Sequence, residues 1–409
     1  MKNTFIDLFA GCGGLSLGLE QAGFHPVYVN ELNTDALNTY LINRSEYKHL
    51  SLKEFHSKDI KELTTGKKNL DKLSKNLKNK FNINKGDLSL VVGGPPCQGY
   101  SGIGHRRSYK VDRKEIPSNF LYKDMIKIIN HFNPKAYIFE NVRGLLSARW
   151  TKNGIKGEIF EDIKKQFKTL KNYSFEFNLV QSKDYGVPQN RPRVLLIGVR
   201  KDIAKSFKKD DLFKPTKNDY PHPHDLLSDL IDQSYNKDFE TKTYPKDPLT
   251  KIQKKLRTHK SGNKTSKKGD VLTDQEYSNH SFNIVEKFTY MINNNGEIPS
   301  KFKTKKFAQR LIPKKWNGKG PNITATSLPD DYVHFSQPRS LTVREWARLQ
   351  MFPDWYKFAG KRTTGGLRRA GNPQEGIFDR EVPKYTQIGN AVPVELARRI
   401  GMNLKLFLK

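Results

Sequence analysis

Cysteine is nearly absent from this 409-residue chain, which has only Cys12 and Cys97. Two thiols make neither a disulfide framework nor a four-cysteine metal site. The ten histidines add no HxxxH or CxxC companion, so no metal is expected. Acidic residues are also short: 42 Asp and Glu against 73 Lys and Arg leave a formal charge of +31. No apolar run approaches the ~20 residues of a membrane helix. "MKNTFIDLFAG" enters a strand pattern within a few residues of Met1, so no signal peptide is expected either. These absences point to a reducing cytoplasm and away from membranes.

What is present is a folded protein, 35% hydrophobic and 11% aromatic, whose length suits two domains. The charge excess is the footprint of a protein that meets a polyphosphate. A lysine-rich proteome would produce part of the same excess, and composition leaves both explanations open.

The first half alternates β-rich runs with helical patterns, which predicts a parallel, doubly wound α/β sheet. Strands are expected at Thr4–Phe9, Pro26–Glu31, Leu88–Gly94, Ala136–Asn141 and Arg193–Val199, with a helix at Thr34–Ile42. The lysine-rich Lys61–Lys85 reads as a surface insert. Residues 201–338 are loop-rich. Within them Lys251–Lys268 and Lys301–Lys319 each hold eight Lys or Arg and no acid, a pattern that fits a phosphate-gripping surface. Helical order returns at "SLTVREWARLQMF", where Leu341, Trp346 and Leu349 should pack inward. Arg339, Arg344 and Arg348 there are either phosphate contacts or a solvated face.

"DLFAGCGG" runs a strand into a glycine turn and a helix, where backbone can approach a ligand. It is not GxGxxG. The next strand ends in Glu31, placed to accept the two hydroxyls of a ribose. Asp59 is a candidate for a base amino group. Cys97 follows a strand behind Pro95 and Pro96, which present it on stiff backbone. Its neighbours Gln, Gly and Ser are not those of a buried structural cysteine. Arg106, Arg107 and His105 follow in a glycine-punctuated basic loop able to close over a polyanion. "AYIFENV" brings Glu140 and Asn141 to the same sheet edge, Glu140 as a proton donor. "QNRPRVLLIGV" brings Arg191 and Arg193.

These blocks, with "GGPPCQGYS", "ENVRGLL", "RSLTVREWARLQMFPD" and "QIGNAVPVELA" in this order, resemble the bacterial DNA (cytosine-5) methyltransferases of restriction–modification systems. The resemblance covers Thr4–Arg200 and Arg339–Arg399. It implies the S-adenosylmethionine-dependent methyltransferase fold, Rossmann-like, with a smaller irregular target-recognition domain. Residues 1–200 and 380–409 would form the catalytic domain, and residues 201–379 the recognition domain with its hinge segment. It also implies Cys97 as nucleophile, Glu140 on cytosine N3, Arg193 on cytosine O2, and Arg191 supporting Glu140 or the phosphate path.

S-adenosylmethionine would be held by Phe5, Gly11, Gly13, Leu15, Glu31, Leu32, Asp59, Ile60, Pro96, Leu121, Asn390 and Val392. Leu32 stands where some relatives place an aromatic. Cys12 matches no catalytic role and reads as small-residue packing. Gln98, Ser101, Arg106 and Arg107 are the loop's candidates for double-stranded DNA, and Thr324 and Thr326 those of the Thr-rich Gly318–Tyr332. The implied enzyme is a monomer acting on a short site, with a cognate endonuclease encoded nearby that it does not contact. A transfer-RNA-directed branch of the fold usually carries a Cys-Phe-Thr tripeptide, and this chain has no cysteine after Cys97.

Overall fold

Short apolar runs with period-two alternation build the central sheet. In the computed structural model, which describes residues 3–96, 112–204, 207–216, 220–303, 308–316, 318, 321–323, 331–365, 368 and 381–408, it has seven strands. They are β1 (Thr4–Leu8), β2 (His25–Asn30), β3 (His56–Ser57), β4 (Leu90–Gly93), β5 (Ala136–Val142), β6 (Tyr173–Gln181) and β7 (Pro192–Arg200). Their order is β3-β2-β1-β4-β5-β7-β6. The first five are parallel, while β7 is antiparallel to both β5 and β6. The sheet is therefore mixed, a correction to the all-parallel expectation. Strand β6, half-buried along most of its length, has no counterpart among the strands read from the sequence. Residues 182–191 are too few for a crossover helix, so β6 and β7 close as an antiparallel pair.

Alternate strand residues feed two cores. Phe5, Val92, Ile138 and Ile197 face one, and Ile6, Val91, Phe139 and Leu196 the other. The longer helices are α1 (Gly14–Gln21), α2 (Thr34–Ile42), α3 (Lys67–Phe81), α4 (Tyr122–Phe132), α5 (Glu158–Phe167), α6 (Lys251–Arg257), α7 (Phe282–Asn293), α8 (Val343–Leu349), α9 (Lys384–Asn390) and α10 (Val394–Lys405). Helix α10 returns to lie on α1. A Cβ on Gly18 would fall 2.4 Å from both the Ala397 Cβ and the Val394 carbonyl oxygen, so only glycine allows this approach. Helix α3 corrects the surface reading of Lys61–Lys85. Its Leu70, Leu73 and Leu77, three and four residues apart, are buried beneath a lysine-rich outer face.

Residues 201–358 share a core with the sheet: Leu226, Tyr244, Leu256, Leu341 and Trp346 belong to the same buried cluster as Phe5. Two-residue strands β8 (Arg310–Leu311) and β9 (Tyr332–Val333) pair there in parallel. Helix α8 opens on a capping box, Thr342 Oγ1 accepting from Glu345 N at 3.1 Å and Glu345 Oε2 from Thr342 N at 2.9 Å. Leu341, Trp346 and Leu349 pack inward as expected.

Its arginines do not meet solvent or phosphate. Arg339 lies 2.7 Å from Glu345, Arg344 3.2 Å from Asp274, and Arg348 2.6 Å from both Asp229 and Asp354. All three are at most 1% exposed. The basic blocks are partly structural too. Arg257 is buried against Asp229, Trp316 is buried, and Lys260 reaches Glu46 and the Asn43 carbonyl just beyond α2. Among the described residues no helix is long and apolar enough to cross a membrane.

Truncating Leu77 to alanine should cost about 2–5 kcal/mol in chemical denaturation, the range for a buried leucine. A loss under about 0.5 kcal/mol would return α3 to the surface.

Candidate active site

Strands β1, β2, β4 and β5 all end at one edge of the sheet, and the candidate residues gather there. Strand β1 leaves through Phe9 and Gly11, each at φ +56°, and Gly13 at φ +85°. A Cβ on Gly13 would come within 2.8–2.9 Å of the side chains of Arg44, Tyr40 and Tyr356, so the turn closes only with glycine. From beneath, Arg44 Nη2 donates to the Gly13 carbonyl (3.2 Å) and its Nε to Glu20 (2.7 Å), while the Tyr356 hydroxyl donates to the Cys12 carbonyl.

Above the turn there is room. A Cβ on Gly11 would meet nothing within 4 Å. Gly11 N–H donates to Glu31 Oε2 and Asn33 N–H to Glu31 Oε1, both at 2.8 Å. Burial pushes the Glu31 carboxyl up; these two N–H groups pull it back without restoring its ordinary value. A desolvated carboxylate beside open space at a helix start fits a nucleoside with paired hydroxyls.

The other cofactor candidates divide. Leu15 and Ile60 are buried, Leu121 and Pro96 half-buried, and Leu32 67% exposed. Asp59 is exposed, its Oδ1 accepting from Lys61 N at 2.9 Å. Asn390 is exposed at the end of α9, and Val392 is buried, its carbonyl oxygen 2.4 Å from where a Gly14 Cβ would be. Phe5 is a correction. It lies near the start of β1, roughly 10 Å of strand from the site edge, and is wholly buried in the core. The aromatic at that edge is Phe9, half-buried and held at positive φ. Its place just after the strand was the signal to read.

On the neighbouring strands, β5 delivers Glu140 and Asn141, and antiparallel β7 begins at the same edge with Arg193. Arg193 Nε lies 2.7 Å from Glu140 Oε1, with both side chains nearly buried. Burial raises the Glu140 pKa, and the Arg193 and then the Arg191 charge lowers it; burial wins. A Cβ on Gly94 would sit 2.7 Å from Glu140 Oε2, so glycine lets the Pro95–Pro96 backbone cross this carboxylate. Asn141 Nδ2 donates to the Pro95 carbonyl at 3.2 Å and so holds that crossing in place.

Arg191 is buried, and its guanidinium donates to the carbonyls of Ile323, Gly389 and Ala391. It clamps the segment carrying Asn390, and its charge lowers the Glu140 pKa. Of the two expectations for Arg191, support of Glu140 or of the phosphate path, the charge on Glu140 agrees with the first. Cys97, Gln98, Ser101, Arg106, Arg107, Thr324 and Thr326 lie outside the described residues. Cys12 is buried with Sγ on the Gln387 carbonyl at 3.4 Å, packing as its small size suggested.

A family model described as C-5 cytosine-specific DNA methylase matches residues 3–406. The chain is 30% identical over 416 residues to the Type II methyltransferase M.DdeI of Desulfomicrobium norvegicum, covering 99% of this chain and 89% of that one. It is 29% identical to the Type II methyltransferase M1.HphI of Haemophilus parahaemolyticus, covering 98% and 86%. Among solved structures it is similar to a DNA modification methyltransferase encoded within an E. coli prophage. That match has a TM-score of 0.68 and 24% identity over 99% of both chains, a likeness of fold.

Burial pushes the Cys12 thiol up to about 12, so at pH 8 it is protonated and shielded. Iodoacetamide treatment of the native protein should leave Cys12 unlabelled in peptide mass spectra, and Cys12→Ala should keep its activity. Labelling at Cys12 under native conditions would contradict the packing described.

Proposed function

The chain belongs to the C-5 cytosine-specific DNA methylase family, whose members methylate C5 of cytosine in DNA; beyond that, we propose that it acts on a short, specific duplex site by flipping out the target base and attacking it through Cys97. The observation that best supports this reading is the Glu140–Arg193 pair lying directly under the Gly94–Pro96 crossing, one residue before Cys97. Inside a duplex C6 of cytosine cannot reach such a site, so the base must leave the stack.

There the Cys97 thiolate forms a bond to C6 and the C5–C6 π electrons move toward N3, which Glu140 protonates. Burial raises the Glu140 pKa and so makes its carboxyl the better proton donor. Arg193 holds O2 and stabilises the charge gathered there. C5 becomes nucleophilic and takes the methyl group; loss of the C5 proton to a base expels the Cys97 thiolate, and N3 returns its proton to Glu140, restoring the ring. S-adenosylmethionine, when bound, supplies the electrophilic methyl. Glu31 and the Gly11–Gly13 turn would hold its nucleoside and methionine ends, with Phe9, Leu32, Asp59, Ile60 and Asn390 around them. Arg191 and Asn141 position neighbouring backbone.

Residues 201–379 form the recognition part in this proposal, and 1–200 with 380–409 the catalytic part. A monomer working in a restriction–modification setting, beside an endonuclease it does not touch, completes the reading. No metal enters it.

Tritiated methyl transfer from S-adenosylmethionine to unmethylated bacterial DNA, run beside bulk transfer RNA, tests it. Label in DNA at cytosine C5, lost in Cys97→Ser and cut at least 100-fold in Glu140→Gln, is the expected result. Label confined to RNA, or undiminished transfer by Cys97→Ser, would overturn it. Leu32→Trp should lower the KM for S-adenosylmethionine about 2- to 10-fold by adding a stacking face at an exposed position. An unchanged KM would remove Leu32 from the pocket.

A further inference from the structure

Six described arginines lie between residues 201 and 365, and five face a carboxylate: Arg257, Arg339, Arg344, Arg348 and Arg362. Arg310 differs. It is exposed, and among the described residues no acid lies within ion-pair distance of it. Yet its position is built. The guanidinium lies over the Tyr332 ring at 4.9 Å, and Arg310 N–H pairs with the Asp331 carbonyl where β8 meets β9. Tyr332 is buried, packed edge-on against the core residue Trp346 at 5.6 Å and fixed through its hydroxyl by Asn322 N–H at 3.0 Å. A stack from the core outward thus holds this guanidinium at the surface.

That surface has shape and place. Arg310 lines a groove of about 600 Å³ with Asn295, Gln309, Lys314, Tyr332 and Phe335. The groove adjoins the catalytic edge: Asn322 touches Tyr332, Ile323 accepts from Arg191, and Pro321 accepts from Asn190 N–H. Arg191 stands two residues before Arg193. Hydrogen bonds thus tie the groove wall at Tyr332 to the segment that leads into Arg193.

A planar fork of donors set over an aromatic ring, with no acid at ion-pair distance among the described residues, matches the adjacent O6 and N7 acceptors of guanine. The flexible lysines beside it suit phosphate better. We infer that Arg310 reads a guanine in the major groove of the target site, and so helps determine which cytosines are methylated. This rests on the DNA methylation reading above.

The test maps methylated cytosines by bisulfite sequencing after wild-type, Arg310→Ala and Lys314→Ala enzymes act on the same unmethylated genomic DNA. The wild-type consensus should contain a guanine that Arg310→Ala no longer requires, with discrimination at that position falling roughly 10-fold or more. Lys314→Ala should slow all sites equally and keep the consensus. An unchanged consensus with Arg310→Ala, whether methylation is uniformly slower or not, overturns the inference and leaves a phosphate contact or a solvated side chain. No methylation by the wild-type enzyme would instead end the functional reading itself.

Discussion

The site depends on one strand running against its neighbours. Because β7 is antiparallel to β5, its first residues lie at the edge where the parallel strands finish. Arg193 thereby arrives within 2.7 Å of Glu140. Reversed, β7 would carry that arginine roughly 25 Å away, to the far end of a nine-residue strand. The glutamate would then stand alone in a desolvated pocket, neutral and without a partner for the charge that the reaction gathers on the base. The short 182–191 connection enforces the direction and with it the pairing of acid and guanidinium.

A second constraint is electrostatic. Helix α8 and its approach bury Arg339, Arg344 and Arg348; Glu345 and Asp354 come from close by in the chain, and Asp229 and Asp274 from distant segments. Asp229 serves both Arg348 and Arg257. Burying these charges gains little net stability, but losing one partner costs about 3–5 kcal/mol because the other is left unpaired. The network therefore acts as a set of addresses, fixing which loop of the irregular 201–338 segment lies against which residue of α8. In a chain of charge +31, its scarce acids are concentrated where they specify the fold.

Much of this was legible in the sequence, for local reasons. Helix α2 and strand β5 stand almost where their periodicity put them, and Glu31, Glu140 and Arg193 lie at one sheet edge because each sits at the end of an apolar run. The failures share a cause. Pattern shows which residues share a face, but not what that face meets. Arg344 and Arg348 look solvated on a short polar helix until Asp274 and Asp229 arrive from some 70 and 120 residues away. Strand β6 is the exception: its alternation of Tyr173, Phe175, Phe177 and Leu179 with Ser174, Glu176 and Asn178 is legible in the sequence. Leu70, Leu73 and Leu77 were hidden among lysines, and Phe5 was misplaced by four residues because distance along β1 was not counted from its end.

The packing of α10 on α1 also sets a schedule. Cys12 bonds to Gln387 across 375 residues, and Lys405 to Ala22 across 383. The glycine turn is thus walled by segments made nearly 400 residues apart. On a ribosome adding about 5–20 residues per second, β1 and α1 wait tens of seconds for the helix that covers them. The turn is walled only once Val394–Lys405 has emerged, so a nascent chain shorter than this holds Glu140 and Arg193 but lacks the wall that completes the glycine turn.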